Sequence, residues 1–476
     1  MLAEKIDILE RAAPMAFWGT VTQVRGLVVH VCDLPVPVGA TVRIMPQALR
    51  AGRGFRSVSL DEANWIEGEV VGFDREQTVV MPLGSTAGIG RGDRVLAEQT
   101  DQHVRVGASL LGRVLDARGR PIDGGGPLVD TCARPLWPAP IDPMARLVIE
   151  APLATGVRAI DALHSVGRGQ RLGVFAAPGV GKSVLLGQMA RCTAADVSVI
   201  ALVGERGREV VDFLKHQLGA DGLARSVVVC ATSDESALMR FRAAPMAAAV
   251  AEYFREQGQD VLLIMDSLTR FCHAQRQIGL ACGEPPTTKG YPPSVFATMP
   301  RLLERSGKTK AGTITGFFAV LVEGEDLDDP IADAARGVLD GHVVLSRKLA
   351  HRGHWPAIDL LDSVSRVVDE VNSAEHRAAR REVLKLVSSY EQVEDLLNVG
   401  AYAAGSNPQF DLAIACKPVI DQLVQQGRSE SAPGDFERTS KQLVVLVQQI
   451  EIARKSLGRQ GQQVPQGPRQ AAAVAG

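Results

Sequence analysis

GVFAAPGVGKSVLL, at residues 173–186, is the stretch that decides the fold of this chain. An apolar run that predicts a strand enters it, and a pattern with helical character leaves it. Its centre matches the phosphate-loop pattern G-x-x-x-x-G-K-[ST] except at the first position, where Ala176 replaces glycine. The strand, the helix and the intact Gly-Lys-Ser predict a nucleotide-binding loop; the alternative is a chance glycine-rich turn.

Each residue type in this loop suits a physical task. Gly179 and Gly181 let the backbone approach phosphate oxygens without a Cβ in the way, and the start of the next helix presents free N–H groups. Lys182 is expected to neutralise phosphate charge and Ser183 to ligate Mg²⁺. Pro178 has no N–H, so one phosphate donor is missing while its φ is pre-set. The predicted nucleotide-binding residues of the loop are Pro178, Gly179, Val180, Gly181, Lys182, Ser183 and Val184.

Two carboxylates are predicted to lie beside the loop. Asp266 ends the apolar run VLLIMD, which places it at the carboxyl edge of a buried strand, where parallel sheets bind ligands. Glu205 follows another apolar run; if its strand neighbours the strand before Lys182, the carboxylate can polarise an attacking water. The alternatives are a helix cap for Asp266 and a surface ion pair of Glu205 with Arg206 or Arg208.

Two residues near the end of the series of apolar strands are further candidates for the nucleotide site. Arg366, in DSVSRVVD, comes too late to belong obviously to its own site. An arginine that serves a neighbouring subunit's phosphoryl-transfer site would be placed this way, and a surface salt bridge is the alternative. Trp355, in HRGHWPAIDLL, can stack on adenine, although a packing role is equally open.

The pattern along the chain predicts several domains. Short β-rich runs between turns favour a β-barrel or sandwich, and apolar strands alternating with helical segments favour a parallel sheet covered on both faces. Dense Gly and Pro predict a crossover without regular structure. The predicted segments are a helical segment at 1–16, the barrel at 17–100, the crossover at 101–146, the α/β domain at 147–365, a helical domain at 366–456 and a disordered tail at 457–476.

Composition limits the function classes. The chain has 476 residues and a formal net charge of −2, which disfavours a dedicated nucleic-acid or anionic-membrane binder. Its 7 cysteines, none in C-x-x-C, indicate free thiols in a reducing cytoplasm. No apolar run approaches the ~20 residues that span a bilayer, and the start lacks the apolar core of a signal peptide. Any membrane association is therefore expected to be peripheral.

With Lys182, Glu205, Asp266 and Arg366 assigned, the chain resembles the hexameric ATPases of type III protein export. These belong to the wider family of the rotary ATP synthase catalytic subunit. The resemblance runs from about residue 17 to about residue 430. The motifs that carry it are MPLGSTAGI, GRVLDARGRPIDG, TGVRAIDAL, GVGKS, GERGREV, GEPPTTKGYPPSVFATMPRLLERSG, DPIADAARGVLDGHVVLSR and PAIDLLDSVSRV.

The resemblance implies an α/β fold with a RecA-like nucleotide-binding core, an N-terminal β-barrel and a C-terminal helical domain. By position it implies that Glu205 is the catalytic carboxylate, Asp266 the magnesium-side carboxylate and Arg366 an arginine finger acting in trans. Trp355 falls where relatives usually carry a tyrosine that packs on adenine, and Tyr402, in NVGAY, is implied on the other side of the base.

The resemblance also implies ligands and partners. The ligands are ATP and Mg²⁺, and the assembly is a homohexamer. The partners are export-gate membrane proteins, a central stalk protein, a regulatory or stator protein, and export substrates with their chaperones, but no nucleic acid. The implied location is the cytoplasm, peripheral to the inner face of the cytoplasmic membrane.

Some loop residues separate this chain from its implied relatives. Ala176 is common in export ATPases, whereas Ala177 and Pro178 replace a glycine and a small residue. TTKGYPPS, DPIADAARGVLDGH and NVGAY favour flagellar export over virulence-type export, which stays the alternative.

Other ATPase classes fit less well. An RNA-dependent hexameric helicase would need stacking aromatics and a basic cluster in its barrel. Residues 20–99 offer only Phe55, Trp65 and Phe73 as aromatics. A non-catalytic rotary subunit usually lacks the glutamate found at Glu205, and a rotary synthase subunit would require a second, homologous subunit.

Overall fold

The structure of the protein is a computed structural model that describes residues 17–46, 65–99, 102–322, 329–427, 430 and 434–461. It confirms the predicted fold class: a β-barrel, an α/β core and a set of C-terminal helices follow one another along the chain. The predicted N-terminal helical segment at 1–16 lies outside the described residues. The domain boundaries remain predictions.

The barrel is closed and antiparallel. Its strands are β1 (Trp18–Arg25), β2 (Val28–Cys32), β3 (Thr41–Met45), β4 (Ile66–Asp74), β5 (Gln77–Pro82) and β6 (Arg94–Gln99). They follow the order β1-β2-β5-β4-β3-β6, and β6 pairs back onto β1. Alternate residues point inward, so Val29, Val42, Val80 and Val95 are fully buried. Because the sheet closes on itself, this domain is a barrel and not the sandwich that the sequence left open.

The segment predicted as an irregular crossover at 101–146 contains three short strands, so regular structure does not stop there entirely. The strands are β7 (His103–Val106), β8 (Val114–Asp116) and β9 (Cys132–Pro135). β7 pairs with β9, and β8 joins the edge of the core sheet. Buried Val104, Val106 and Leu115 stabilise these strands. The turns that join them account for the dense Gly and Pro.

The core is a mostly parallel sheet. Its strands are β12 (Arg171–Ala176), β13 (Val197–Glu205), β14 (Ser226–Thr232), β15 (Asp260–Asp266), β16 (Gly307–Lys308), β17 (Thr313–Leu321), β18 (Gly341–Leu345) and β19 (Ile358–Ser365); β10 (Pro152–Leu153) and β11 (Val166–Gly167) pair separately. The order is β19-β18-β12-β17-β15-β13-β14-β8. β19 runs antiparallel to β18, and β16 runs antiparallel to β17.

Helices cover both faces of this sheet, as the continuous apolar strands predict. The helices are α1 (Arg158–Leu163), α2 (Lys182–Cys192), α3 (Gly207–Asp212), α4 (Gly219–Ala224), α5 (Ala237–Glu256), α6 (Leu268–Ala281), α7 (Pro293–Leu303), α8 (Pro330–Val338), α9 (Arg347–His351), α10 (Ala374–Asn398), α11 (Pro408–Val424) and α12 (Phe436–Gly461). A π-helical turn (Phe213–Leu218) joins α3 to α4, and 3₁₀ turns lie at Ala108–Leu110, Pro143–Ala145 and Thr288–Gly290.

The two faces of the sheet have separate apolar cores. One core packs α5, α6, α7 and α8 against the sheet. The other packs α1 and α2 together with the C-terminal helices α10, α11 and α12. The C-terminal helices therefore share a core with the helix that follows the phosphate loop. α12 continues to Gly461, so the disorder predicted from residue 457 is wrong at its start.

A buried ion pair holds the barrel on the core. Arg242 on α5 donates from Nη1 to Glu69 Oε2 on β4 at 2.8 Å, and both side chains are buried. Removing one partner of such a pair leaves an uncompensated buried charge. Among the residues that the structure describes, no helix combines the length and the apolar character that crossing a bilayer requires.

Candidate active site

The phosphate loop joins β12 to α2. The strand ends at Ala176, and the helix begins at Lys182. Gly179 and Gly181 have φ of 83° and 87°, a left-handed conformation that glycine adopts without steric cost. Ala177 is buried in the apolar core, whereas Pro178 lies exposed in the turn. The unusual Ala177 therefore serves packing below the loop.

The side chain of Lys182 lies between two carboxylates. Its Nζ contacts Asp266 Oδ1 and lies 3.6 Å from Glu205 Oε1. Asp266 ends β15 at the carboxyl edge of the sheet, as its position after an apolar run predicts. The sequence-predicted lysine and both carboxylates thus meet at one point.

The strands before Lys182 and Glu205 are not neighbours, so the condition under which the sequence placed Glu205 beside the loop is not met. β17 and β15 lie between β12 and β13. Glu205 still reaches the loop because β13 extends past the level of Asp266, which pairs with Leu202. The register shifts at Gly204, whose φ is 70°, and this irregularity lies just before Glu205.

Glu205 lies in an environment that disfavours its charge. Burial and the neighbouring Asp266 carboxylate raise the pKa of Glu205 to about 7, although Lys182 opposes the shift. Among the described residues, its buried Oε1 has no hydrogen-bond partner. A carboxyl group with a pKa near the working pH and a spare acceptor atom suits a general base.

Arg270 is a member of this cluster that sequence reasoning missed. Its Nη2 lies 3.5 Å from Glu205 Oε2. The residue lies on the first turn of α6, which begins directly after the strand that ends in Asp266. The sequence feature that could have identified Arg270 is its position four residues after Asp266.

A cavity of about 330 Å³ adjoins the loop and contains the predicted base-stacking residue. Trp355 is 42% exposed and lines this cavity. A Cβ added to Gly181 would lie only 2.8 Å from Trp355 Cζ3, so the ring covers the loop backbone. Gln426 and Gly427, from the segment after α11, line the same cavity and were not predicted.

Tyr402 does not reach the cavity, which corrects its implied role at the base. Its single O–H is shared between two acceptors, Asn407 O at 3.1 Å and Asp411 Oδ1 at 2.9 Å, so it braces the start of α11. The cavity lies at the other end of α11. A helix of 17 residues is about 25 Å long, and that length separates Tyr402 from the base cavity of its own subunit.

Arg366 lies on the opposite edge of the sheet from the loop. β19 runs antiparallel, so Ser365 pairs with Gly341 at the start of β18, whereas Ala176 pairs with Leu345 at its end. The guanidinium is exposed and donates to Arg336 O at 3.3 Å. Arg366 therefore cannot serve the phosphate loop of its own subunit.

The oxygen donors at the loop fit Mg²⁺ bound together with a nucleotide. Ser183 is exposed at the start of α2, and Asp266 contacts the preceding residue, Lys182. Among the described residues, no group of three or more His, Cys, Asp or Glu side chains could hold a metal alone. Mg²⁺ usually binds one or two protein ligands plus substrate phosphates, which matches this sparse set.

Family models match the three parts of the chain. The ATP synthase alpha/beta family nucleotide-binding domain matches residues 156–365, and the beta-barrel domain of that family matches residues 55–98. The T3SS EscN ATPase C-terminal domain matches residues 372–444.

Curated relatives cover most of the chain. A flagellum-specific ATP synthase of Pseudomonas aeruginosa is 51% identical over 408 residues, 83% of this chain and 90% of that protein. A type 3 secretion system ATPase of Sinorhizobium fredii is 50% identical, over 79% of this chain and 82% of that protein. The chain belongs to the ATP synthase alpha/beta family, in its group of flagellum-specific and type 3 secretion ATPases. It is an ATPase.

Solved structures of this family agree with the fold. The assembled ATPase EscN of the enteropathogenic E. coli type III secretion system superposes with a TM-score of 0.83 at 40% identity, covering 90% of this chain and 100% of that chain. EscN in complex with its central stalk EscO gives 0.80 at 39% identity and the same coverage.

If Glu205 is the general base, its raised pKa predicts a pH dependence for this ATPase. A base must be ionised to accept a proton, so a group with a pKa of about 7 is active above that pH. We expect kcat/KM to fall about tenfold per pH unit below 7 and to level off above it. Steady-state assays from pH 5 to 9 measure this; a profile that is flat down to pH 5 would contradict it.

The contact between the loop and Trp355 predicts a difference between two glycine substitutions. Gly181→Ala places a Cβ against the ring, whereas a Cβ at Gly179 has nothing within 4 Å. Both positions have positive φ, so both cost about 1–2 kcal/mol of backbone strain. We expect Gly181→Ala to lower the free energy of unfolding of the nucleotide-free protein by at least about 1 kcal/mol more.

Urea denaturation of both variants, with and without Trp355→Ala, measures that difference. Trp355→Ala removes the obstructing ring, so it should abolish the excess cost of Gly181→Ala. Equal costs for the two glycine variants would show that the ring does not constrain the loop.

Proposed function

We propose that this ATPase energises type III protein export, of flagellar components, through Mg²⁺-dependent ATP hydrolysis. It would act as a homohexameric cytoplasmic ring, peripheral to the inner face of the membrane. The observation that carries the catalytic part is the convergence of Lys182, Glu205 and Asp266 at the carboxyl edge of the sheet.

The cluster supplies the parts of a phosphoryl-transfer site. Lys182 would neutralise phosphate charge, and Glu205 would accept a proton from the attacking water. Ser183 and Asp266 would hold Mg²⁺, which stabilises negative charge on the phosphates. Arg270, 3.5 Å from Glu205, keeps a positive charge beside the base.

Two residues complete the proposed site. Trp355 would stack on the adenine base in the cavity beside the loop. Arg366 would reach the phosphates bound by the neighbouring subunit and stabilise the charge of the transition state. Its position at the opposite edge of its own sheet supports a role between subunits.

The relatives support the assembly and its setting. EscN has been solved as an assembled ATPase and in complex with its central stalk EscO. We propose that the ring formed by this chain also binds a central stalk protein. We further propose contacts with export-gate membrane proteins, a regulatory or stator protein, and export substrates with their chaperones.

A chromosomal Lys182→Ala allele tests the proposed function. We expect that it abolishes motility and leaves filaments unassembled, because the lysine that holds phosphate is lost. Lys455→Ala, at an exposed position on α12, is the matched control and should stay motile. Motile Lys182→Ala cells that no longer secrete host-directed proteins would assign the ATPase to virulence-type export. Cells with neither defect would contradict a role in export.

A further inference from the structure

A single glutamine joins the end of α11 to the nucleotide-binding core. Gln426 is only 8% exposed. Its backbone N–H donates to Trp355 O at 2.8 Å. Its side-chain Nε2 donates to Gly156 O at 3.0 Å, and its Oε1 accepts from the Arg158 backbone N–H at 3.0 Å. One residue thus satisfies three backbone groups that come from two separate segments of the core, 156–158 and Trp355.

The first residue of α1 reinforces this junction. Arg158 Nε donates to Leu423 O at 2.9 Å, and its Nη2 donates to Gln425 O. These carbonyls belong to the end of α11, where helix carbonyls lack intrahelical partners. The guanidinium therefore caps the helix whose continuation places Gln426 and Gly427 beside the loop.

The partner of the glutamine amide is itself fixed in place. Gly156 has a φ of 77°, and a Cβ added there would lie 2.3 Å from Cys192 Cβ. Cys192 is the last residue of α2, the helix that begins with Lys182. Gln426 is therefore anchored against the far end of the phosphate-loop helix, with little room to move.

We propose that Gln426 is a positioning residue for the nucleotide base. Its side-chain bonds to Gly156 and Arg158 hold its backbone in place, and the backbone N–H in turn fixes the carbonyl of Trp355. The next residue, Gly427, also lines the cavity. The side-chain atoms of Gln426 are used within the protein, so it acts through Trp355 on the ligand. This inference rests on the proposed role of Trp355 at the base.

The adenine base keeps the same contacts in the ground state and the transition state. Weakening those contacts should therefore change KM and leave kcat unchanged. We expect Gln426→Ala to raise KM for ATP about five- to tenfold, the effect of a lost hydrogen bond or two, with kcat within about twofold. Gln422→Ala, an exposed position on the same helix, should match wild type.

Trp355 emission supplies a readout that a general loss of stability would not reproduce. The chain has 4 tryptophans, so a Trp355→Phe variant isolates the contribution of this ring. In Gln426→Ala at a temperature where it stays folded, Trp355 emission should shift to the red and respond less to ATP. Gln426→Glu keeps the acceptor for Arg158 but lacks the donor to Gly156, so its KM should rise as well.

The outcomes separate this inference from the proposed base site. If Trp355→Ala raises KM while Gln426→Ala and Gln426→Glu leave both KM and Trp355 emission unchanged, the positioning role is wrong and the base site stands. A fall in kcat at constant KM in the Gln426 variants would also overturn the positioning role. If Trp355→Ala leaves KM unchanged, the base site itself fails.

Discussion

Replacing Glu205 by glutamine is expected to lower kcat for ATP about 10²–10⁴-fold while ATP affinity stays within about twofold. The amide cannot accept the proton of the attacking water. It keeps the size of the carboxyl group, and Lys182 retains Asp266 as its nearest carboxylate. Steady-state hydrolysis assays and equilibrium binding of ATP measure the two effects separately.

The control for this substitution is Glu391→Gln, at an exposed position on α10. It removes the same charge far from the loop and should hydrolyse ATP at the wild-type rate. Hydrolysis at the wild-type rate by the Glu205 variant would remove Glu205 from the catalytic machinery. Loss of ATP binding by that variant would instead assign the residue to ligand affinity.

Replacing Arg366 by alanine is expected to lower kcat about 10³-fold or more while each subunit still binds ATP. The residue lies at the edge of the sheet opposite its own loop, so its removal should leave that loop unchanged. The loss falls on the neighbouring site, where a guanidinium would stabilise transition-state charge. Arg381→Ala, exposed on α10, should keep full activity, and an Arg366 variant with full activity would contradict the assignment.

Local sequence was sufficient to predict the position of a site residue that lies at the end of a single strand or helix. Asp266 could be placed because an apolar strand that ends in a polar residue puts it at the ligand-binding edge. Gly179 and Gly181 could be placed because the loop pattern fixes its own backbone geometry. The same reasoning found the barrel and the helices, since both follow from short-range periodicity.

Local sequence failed where residues meet across the fold. The order of the core strands depends on the packing of the whole sheet, so the two strands between β12 and β13 were not foreseen. Gln426 reaches the cavity from a segment far beyond Trp355 and carries no motif of its own. The role implied for Tyr402 at the base was wrong because this residue braces the N-terminus of α11. Its position in the sequence does not show which end of that helix faces the cavity.

Mixing two inactive variants tests most directly the claim that each site combines residues of two subunits. Lys182→Ala lacks its own phosphate lysine but keeps Arg366, and Arg366→Ala has the reverse defect. In mixed rings at equal amounts, about a quarter of the interfaces would pair an intact Lys182 with an intact Arg366. We predict that ATPase activity returns on mixing to about that fraction of the wild-type rate. Mixed rings that form but stay as inactive as either variant alone would contradict a shared site.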